Sequence, residues 1–165
     1  MEIYILRHAP AAKRGGVKYP NDDRPLSKEG VEKLKLSAKG IGVVIGSVDL
    51  ILTSPLIRAA DTASVAAKAM RYKHKILNCE ELLPDRPVND ILQYLRKLKQ
   101  DAKVLLVGHE PVLSLTASAL LGSATPIIEL KKGAVCRIHV SDLSLKEHGL
   151  LVWHLAPRHL RSLSQ

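Results

Sequence analysis

Phenylalanine is absent from this chain, and one tryptophan and four tyrosines are its only Phe, Trp or Tyr rings. So few rings offer no stacking platform of the kind that holds single-stranded nucleic acid, and they leave a core to be built from aliphatic side chains. Cysteine is scarce as well. Cys79 and Cys136 both stand in apolar, strand-like runs with no second ligand at metal spacing. That excludes a disulfide framework and a cysteine metal site, and points to buried thiols in a reducing compartment. No hydrophobic run reaches the length of a membrane span. The apolar stretch at the N-terminus follows Glu2 in place of a basic leader and is far shorter than a signal sequence needs. A cytoplasmic location is therefore expected.

Acidic residues are also in deficit, 16 Asp plus Glu against 25 Lys plus Arg, for a formal net charge of +9. Such a surplus steers anionic partners toward the chain. The basic residues are spread along the sequence with no recognition helix among them, so neither nucleic acid nor a membrane is the expected partner. The economical reading is a phosphorylated substrate, against a background of ordinary solvated lysines.

The 165 residues suffice for one domain with a substantial core, spanning 1–165. Strand and helix signals alternate, which predicts an α/β fold: a three-layer α/β/α sandwich around a mostly parallel central sheet. Residues 9–25, with Gly15-Gly16, Pro20, Asn21-Asp22-Asp23 and Pro25, read as a long loop of the kind that carries function. Ser27 is placed to cap a helix over about 28–42. Ser54 as cap and Pro55 as first residue should start another, with an Ala59, Ala63, Ala66, Met70 stripe and Arg58 one turn in. A third strand is expected over 75–79, a helix marked by Val88, Ile91, Leu92, Leu95 and Leu98, a fourth strand over 103–107 and a helix from Pro111 to Leu121 ended by Gly122. Residues 127–130, 134–140 and 150–155 read as sheet edge, and the stretch after Pro157 as a peripheral basic tail.

The chemistry gathers where strands end. The apolar run Ile3-Tyr4-Ile5-Leu6 closes on Arg7 and His8. Asp49-Leu50-Ile51-Leu52 runs into Thr53-Ser54-Pro55-Leu56-Ile57-Arg58, and Val104-Leu105-Leu106-Val107 into Gly108-His109-Glu110-Pro111. In an open α/β sheet, sites form outside the strand ends. If these strands are parallel neighbours, Arg7, His8, Arg58 and His109 meet on one edge: two permanent cations beside two groups that titrate near neutrality. That combination suits a phosphoryl group. Taken singly, each histidine is an ordinary loop residue and Arg58 a surface arginine; together they form a constellation. His74, His139, His148, His154 and His159 lack such company.

These blocks resemble the histidine phosphatase superfamily, which includes the cofactor-dependent phosphoglycerate mutases. Leu6-Arg7-His8-Ala9 is similar to its Arg-His signature, with Ala9 where a glycine is usual. Thr53-Ser54-Pro55-Leu56-Ile57-Arg58-Ala59 is similar to its second block, and Gly108-His109 to its second histidine. Arg24-Pro25-Leu26-Ser27, Val107-Gly108-His109-Glu110-Pro111 and Lys132-Gly133-Ala134 look most like the SixA-type phosphohistidine phosphatases. The resemblance spans nearly the whole chain and implies a phosphoglycerate mutase-like fold.

The resemblance also implies a metal-independent phosphatase, without cofactor, that works through a phosphohistidine intermediate on a phosphorylated protein substrate. His8 would be the nucleophile, kept neutral by adjacent cations. Arg7, Arg58 and His109 would hold the phosphoryl oxygens, His109 as a charged donor once the dianion binds. The proton donor stays open among Glu81, Asp85 and Glu110. Glu110 reads equally as a carboxylate favoured by a helix N-terminus, whereas Glu81 and Asp85 occupy the loop where members with a strong acid carry it. Two alternatives remain: a small-molecule phosphomonoesterase or mutase of the same superfamily, and an inactive phosphoprotein-binding module. Oligomeric state is not legible.

Overall fold

A computed structural model of the chain describes residues 1–13, 19, 22–143 and 147–163. The elements follow in the order β1 (Glu2–Arg7), α1 (Lys28–Ile45), β2 (Leu50–Thr53), α2 (Ile57–Ala69), β3 (Leu77–Asn78), a single 3-10 turn (Glu80–Leu82), α3 (Val88–Arg96), β4 (Lys103–Gly108), α4 (Val112–Leu120), β5 (Val135–His139), β6 (Leu150–Leu155) and α5 (Pro157–Ser162). One sheet joins all six strands in the order β3-β2-β4-β1-β5-β6. The first four are parallel, and β5 and β6 add an antiparallel edge.

Strand alternation sorts the aliphatic residues onto two faces. Ile3 and Ile5 pack with Val104, Leu106 and Cys136 against Ile91 and Leu95 of α3 and Leu113 of α4. Tyr4 and Leu6 pack with Ile51, Leu105 and Val107 against Leu34 and Ile41 of α1, the alanines of α2 and Leu160 of α5. Two cores separated by one sheet make the three-layer sandwich that the alternating pattern predicts. Among the described residues no helix is long and apolar enough to cross a membrane.

Local signals explain most boundaries. The Ser27 hydroxyl accepts from the Gly30 amide at 3.0 Å and opens α1, which runs three residues beyond the predicted end and stops where Gly46 turns left-handed at φ 69°. Ala59, Ala63 and Ala66 are fully buried, so α2 lies close on the sheet.

Several expectations are corrected. Helix α2 begins at Ile57, so Ser54 is not its cap and Arg58 sits in the first turn. The third strand shrinks to two residues. Residues 127–130 obey a period of two, with Ile128 and Leu130 buried, but join no strand ladder. Of the predicted loop at 9–25, Gly15, Gly16, Pro20 and Asn21 lie outside the described residues; Ala11 bridges antiparallel to Leu26 at its base.

The C-terminal stretch is not peripheral. It forms α5, and Leu160 is wholly buried against α1. A Cβ on Gly40 would stand 2.0 Å from the Leu160 carbonyl oxygen, so the glycine is what allows the two helices to touch. Leu160→Ala should therefore cost about 2–5 kcal/mol, read from urea unfolding, while Arg158→Ala on the exposed side of α5 should leave the midpoint unmoved. Equal midpoints for the two variants would return this helix to the status of a tail.

Candidate active site

Register brings the strand ends together. Arg7 pairs with Gly108 across β1 and β4, and Thr53 pairs with Val107 across β2 and β4. His8 and His109 each follow one residue after the paired Arg7 and Gly108, so their rings start side by side and lie 4.9 Å apart between centroids. With Arg7, Arg58 and Glu110 they line a pocket of about 640 Å³ whose rim includes Lys13, Arg24, Pro84 and Lys132. Glu81 is elsewhere: its carboxylate accepts from the Cys79 thiol at 3.1 Å and lines a separate hollow with Tyr94 and Lys97. Asp85 is exposed and lines neither.

The backbone fixes which nitrogen of His8 is available. Its Nδ1 lies 2.6 Å from the Ala9 carbonyl oxygen. A carbonyl only accepts, so Nδ1 carries the proton and Nε2 keeps the lone pair. The main chain holding this ring is itself pinned, since the His8 amide donates to Gly108 O at 3.1 Å and the Gly133 amide reaches the Arg7 and His8 carbonyls. Gly133 sits at φ 81°, a left-handed turn open to glycine at no cost. The Ala9 amide donates to Thr62 Oγ1 at 3.1 Å, and Thr62 donates in turn to the Arg58 carbonyl at 2.7 Å. The segment carrying His8 and the helix carrying Arg58 are thereby joined through one threonine.

The cations are held from behind. Arg7 donates through one terminal nitrogen to Leu130 O at 2.6 Å, the use the fold makes of the stretch that forms no strand. Arg58, only 2 % exposed, donates to the Asp22 carbonyl at 2.6 Å and to its carboxylate at 3.0 Å. The other oxygen of that carboxylate takes Arg24 Nε at 2.7 Å. His109 Nε2 is 2.9 Å from Ser54 Oγ. Sequence reasoning missed Ser54 and Asp22 as site residues; Arg24 and Lys132 stood inside the motif blocks without a role. Among the described residues, Arg7 Nε, Arg58 Nε, His109 Nδ1 and Glu110 Oε1 are buried with no hydrogen-bond partner. Guanidinium and imidazole groups converging on one pocket are chemically able to receive an anion.

Burial sets the protonation state. It lowers the His8 pKa to about 4, assisted by Arg58, Arg7 and Lys132, against the Ala9 hydrogen bond that raises it. Burial likewise lowers His109 to about 3, with His8 and Arg58 adding to the effect and Asp22 opposing it. The cations thus contribute as expected, behind desolvation as the larger cause. Both rings are neutral at pH 7.

A group with a depressed folded-state pKa lets the unfolded chain take up protons first. Below an unfolded value of about 6.5, acid therefore favours unfolding until the folded rings protonate. Stability should fall as pH drops from 6.5 toward 4 and be flat above that window. His8→Asn, which keeps a donor for the Ala9 carbonyl, should flatten the slope by an amount of the order of 1–3 kcal/mol across the window. Urea titrations of both proteins at several pH values give the difference, and parallel curves would mean that His8 titrates normally.

Comparison with known proteins agrees with the geometry. Residues 3–82 match the model of the histidine phosphatase superfamily, branch 1. An uncharacterized protein of Picosynechococcus is 34% identical over 152 residues, covering 90% of each chain. The phosphohistidine phosphatase SixA of Escherichia coli is 23% identical over 163 residues, covering 98% of this chain and 97% of its own. A structure of the protein histidine phosphatase SixA complexed with tungstate superposes with a TM-score of 0.82 at 24% identity, over 97% of this chain and 99% of the other. With three motif blocks at adjoining strand ends and a phosphoglycerate mutase-like sandwich to carry them, the chain belongs to the histidine phosphatase superfamily.

Proposed function

We propose that this phosphatase removes phosphate from phosphohistidine in proteins, with His8 Nε2 as the nucleophile. The observation that carries the reading is the His8 ring: proton locked on Nδ1 by the Ala9 carbonyl, lone pair on Nε2, in a pocket of buried, partly unpaired guanidinium donors. In the first step Nε2 attacks phosphorus, the bond from phosphorus to the substrate imidazole breaks, and that imidazole leaves with a proton taken from Glu110 or from water, the donor recovering it from the attacking water of the second step. In the second, water attacks phosphorus, the bond to His8 breaks, and inorganic phosphate departs. Arg7 and Arg58 hold the equatorial oxygens, with Arg58 presenting a planar fork that a lysine cannot match. A bound dianion favours the protonated form of His109, which then donates to it as well.

Glu110 is the donor candidate that lines this pocket. The need for an acid is modest for a labile phosphoramidate and greater for an alkoxide. The segment from β3 to α3 contributes only Pro84 to the pocket, so it provides little roof of its own against a protein surface. The likeness to SixA proteins supports the same substrate class, and tungstate is a tetrahedral oxyanion of the kind such a cradle fits.

Rapid quench with radiolabelled substrate should trap an enzyme-bound label that survives base and is lost in acid. His8→Ala should abolish both label and turnover. Arg58→Ala should lower kcat by about 10²–10³ in a folded protein, the loss typical of one charge-stabilising donor. Chelators should leave the rate unchanged, because imidazole and guanidinium supply both nucleophile and charge. The substrate class is tested by kcat/KM on a phosphohistidine protein, a phosphoserine peptide and an aryl phosphate side by side. A clear preference for a sugar phosphate or phosphoglycerate would move the chain to the small-molecule members of the superfamily.

A further inference from the structure

Beside the phosphate pocket lies a second cleft, of about 330 Å³, that the chemistry above does not use. Five cations line it: Lys33 from α1, Lys131 and Lys132 from the turn before β5, and Arg158 and Arg161 from α5. Its remaining wall is mainly apolar, with Pro10, Leu34 and Pro157 among the residues. Among the described residues no carboxylate lines it. Glu29 pairs with Lys33 one turn away on the exposed side of α1, and among the described residues the other four basic side chains form no salt bridge with a carboxylate.

The arrangement follows from the fold. Arg158 and Arg161, three apart on α5, share a face, while Leu160 between them is buried in the core. Gly133 carries the two lysines to the same place, its left-handed turn leaving a Cβ position only 3.5 Å from Pro157. The cleft adjoins the candidate active site: Lys132 lines both, and Ala9 of the cleft is the residue whose carbonyl orients His8. Anything bound there lies next to the substrate phosphoryl group.

We propose that this cleft is a docking groove for an acidic segment flanking the phosphorylated histidine of the protein substrate. The proposal rests on the protein-substrate reading and adds its sequence preference. A nucleic acid would also meet the cations, but no aromatic ring lines the cleft to stack a base. The apolar wall suits the methylenes of an extended peptide, and the lysines and arginines suit its carboxylates. Exposed charge pairs are individually weak, so several must act together, and the effect must fade with salt.

The test uses two synthetic phosphohistidine peptides, one flanked by glutamates and one by serines, with an aryl phosphate as the control. The wild type should hydrolyse the acidic peptide with about tenfold higher kcat/KM at low salt, through KM, as expected for a few cooperating surface charges. Lys131→Glu/Arg158→Glu, both exposed and outside the catalytic pocket, should erase that preference while keeping wild-type kcat on the aryl phosphate. Equal rates on both peptides in the wild type overturn the groove and leave the phosphohistidine reading standing. Persistence of the preference in the double variant also overturns it, by placing recognition elsewhere. Hydrolysis of the aryl phosphate alone overturns the protein-substrate reading and the groove together. Stronger competition by single-stranded RNA than by polyglutamate, abolished in the double variant, would reassign the cleft to nucleic acid.

Discussion

The hydrogen bond from His8 Nδ1 to the carbonyl of Ala9 governs the site. It selects the tautomer, aims Nε2 and keeps the ring from rotating, all with a backbone atom that cannot titrate. That carbonyl is in place only because the chain continues past β1 along a fixed path. The amides of His8 and Gly133 tie it to β4 and to the turn before β5, and Ala9, 1 % exposed, is packed into the core beneath α1 and α2. The usual glycine at this position is replaced without loss of the geometry, since the methyl group has a core to enter and the amide still finds Thr62.

Electrostatics then follows from placing cations where water is excluded. Burying a guanidinium without a partner is costly, and Arg58 is almost fully buried. Asp22 offsets that cost by bridging Arg58 and Arg24 from one side, leaving Arg58 Nε without a partner among the described residues. Two carboxylates, Asp22 and Glu110, against Arg7, Lys13, Arg24, Arg58 and Lys132 leave the pocket positive, so an anion is attracted while proton binding to the histidines is opposed. The same imbalance therefore fits the proposed role of His8 in two ways: affinity for an anion and a free lone pair at neutral pH.

The sheet and its chemical edge were legible because they depend on local patterns. Three apolar runs ended on polar residues, and parallel pairing put their ends in one row. What escaped depends on contacts between segments far apart in the chain. Ser54 looked like a helix cap because Ser-Pro is a good helix start, yet tertiary structure gives its hydroxyl to His109. Asp22 looked like a loop residue because nothing local reveals that Arg58, 36 positions later, will need its carboxylate. Helix α5 is six residues long and largely polar, too short to show a period, and only the close approach permitted by Gly40 reveals it as part of the core.

Residues 127–130 illustrate the reverse error. Their alternation is genuine, with Ile128 and Leu130 inward and Ile127 outward, but β5 already occupies the edge of β1, and β6 the far edge of β5. An extended segment without a strand partner has backbone carbonyls to spare, and Leu130 gives one of them to Arg7. The period of two thus reported burial correctly and pairing wrongly. Because that carbonyl is unclaimed by the sheet, it can steady a guanidinium from behind, so the failure to form a strand is part of how the proposed phosphate site is built.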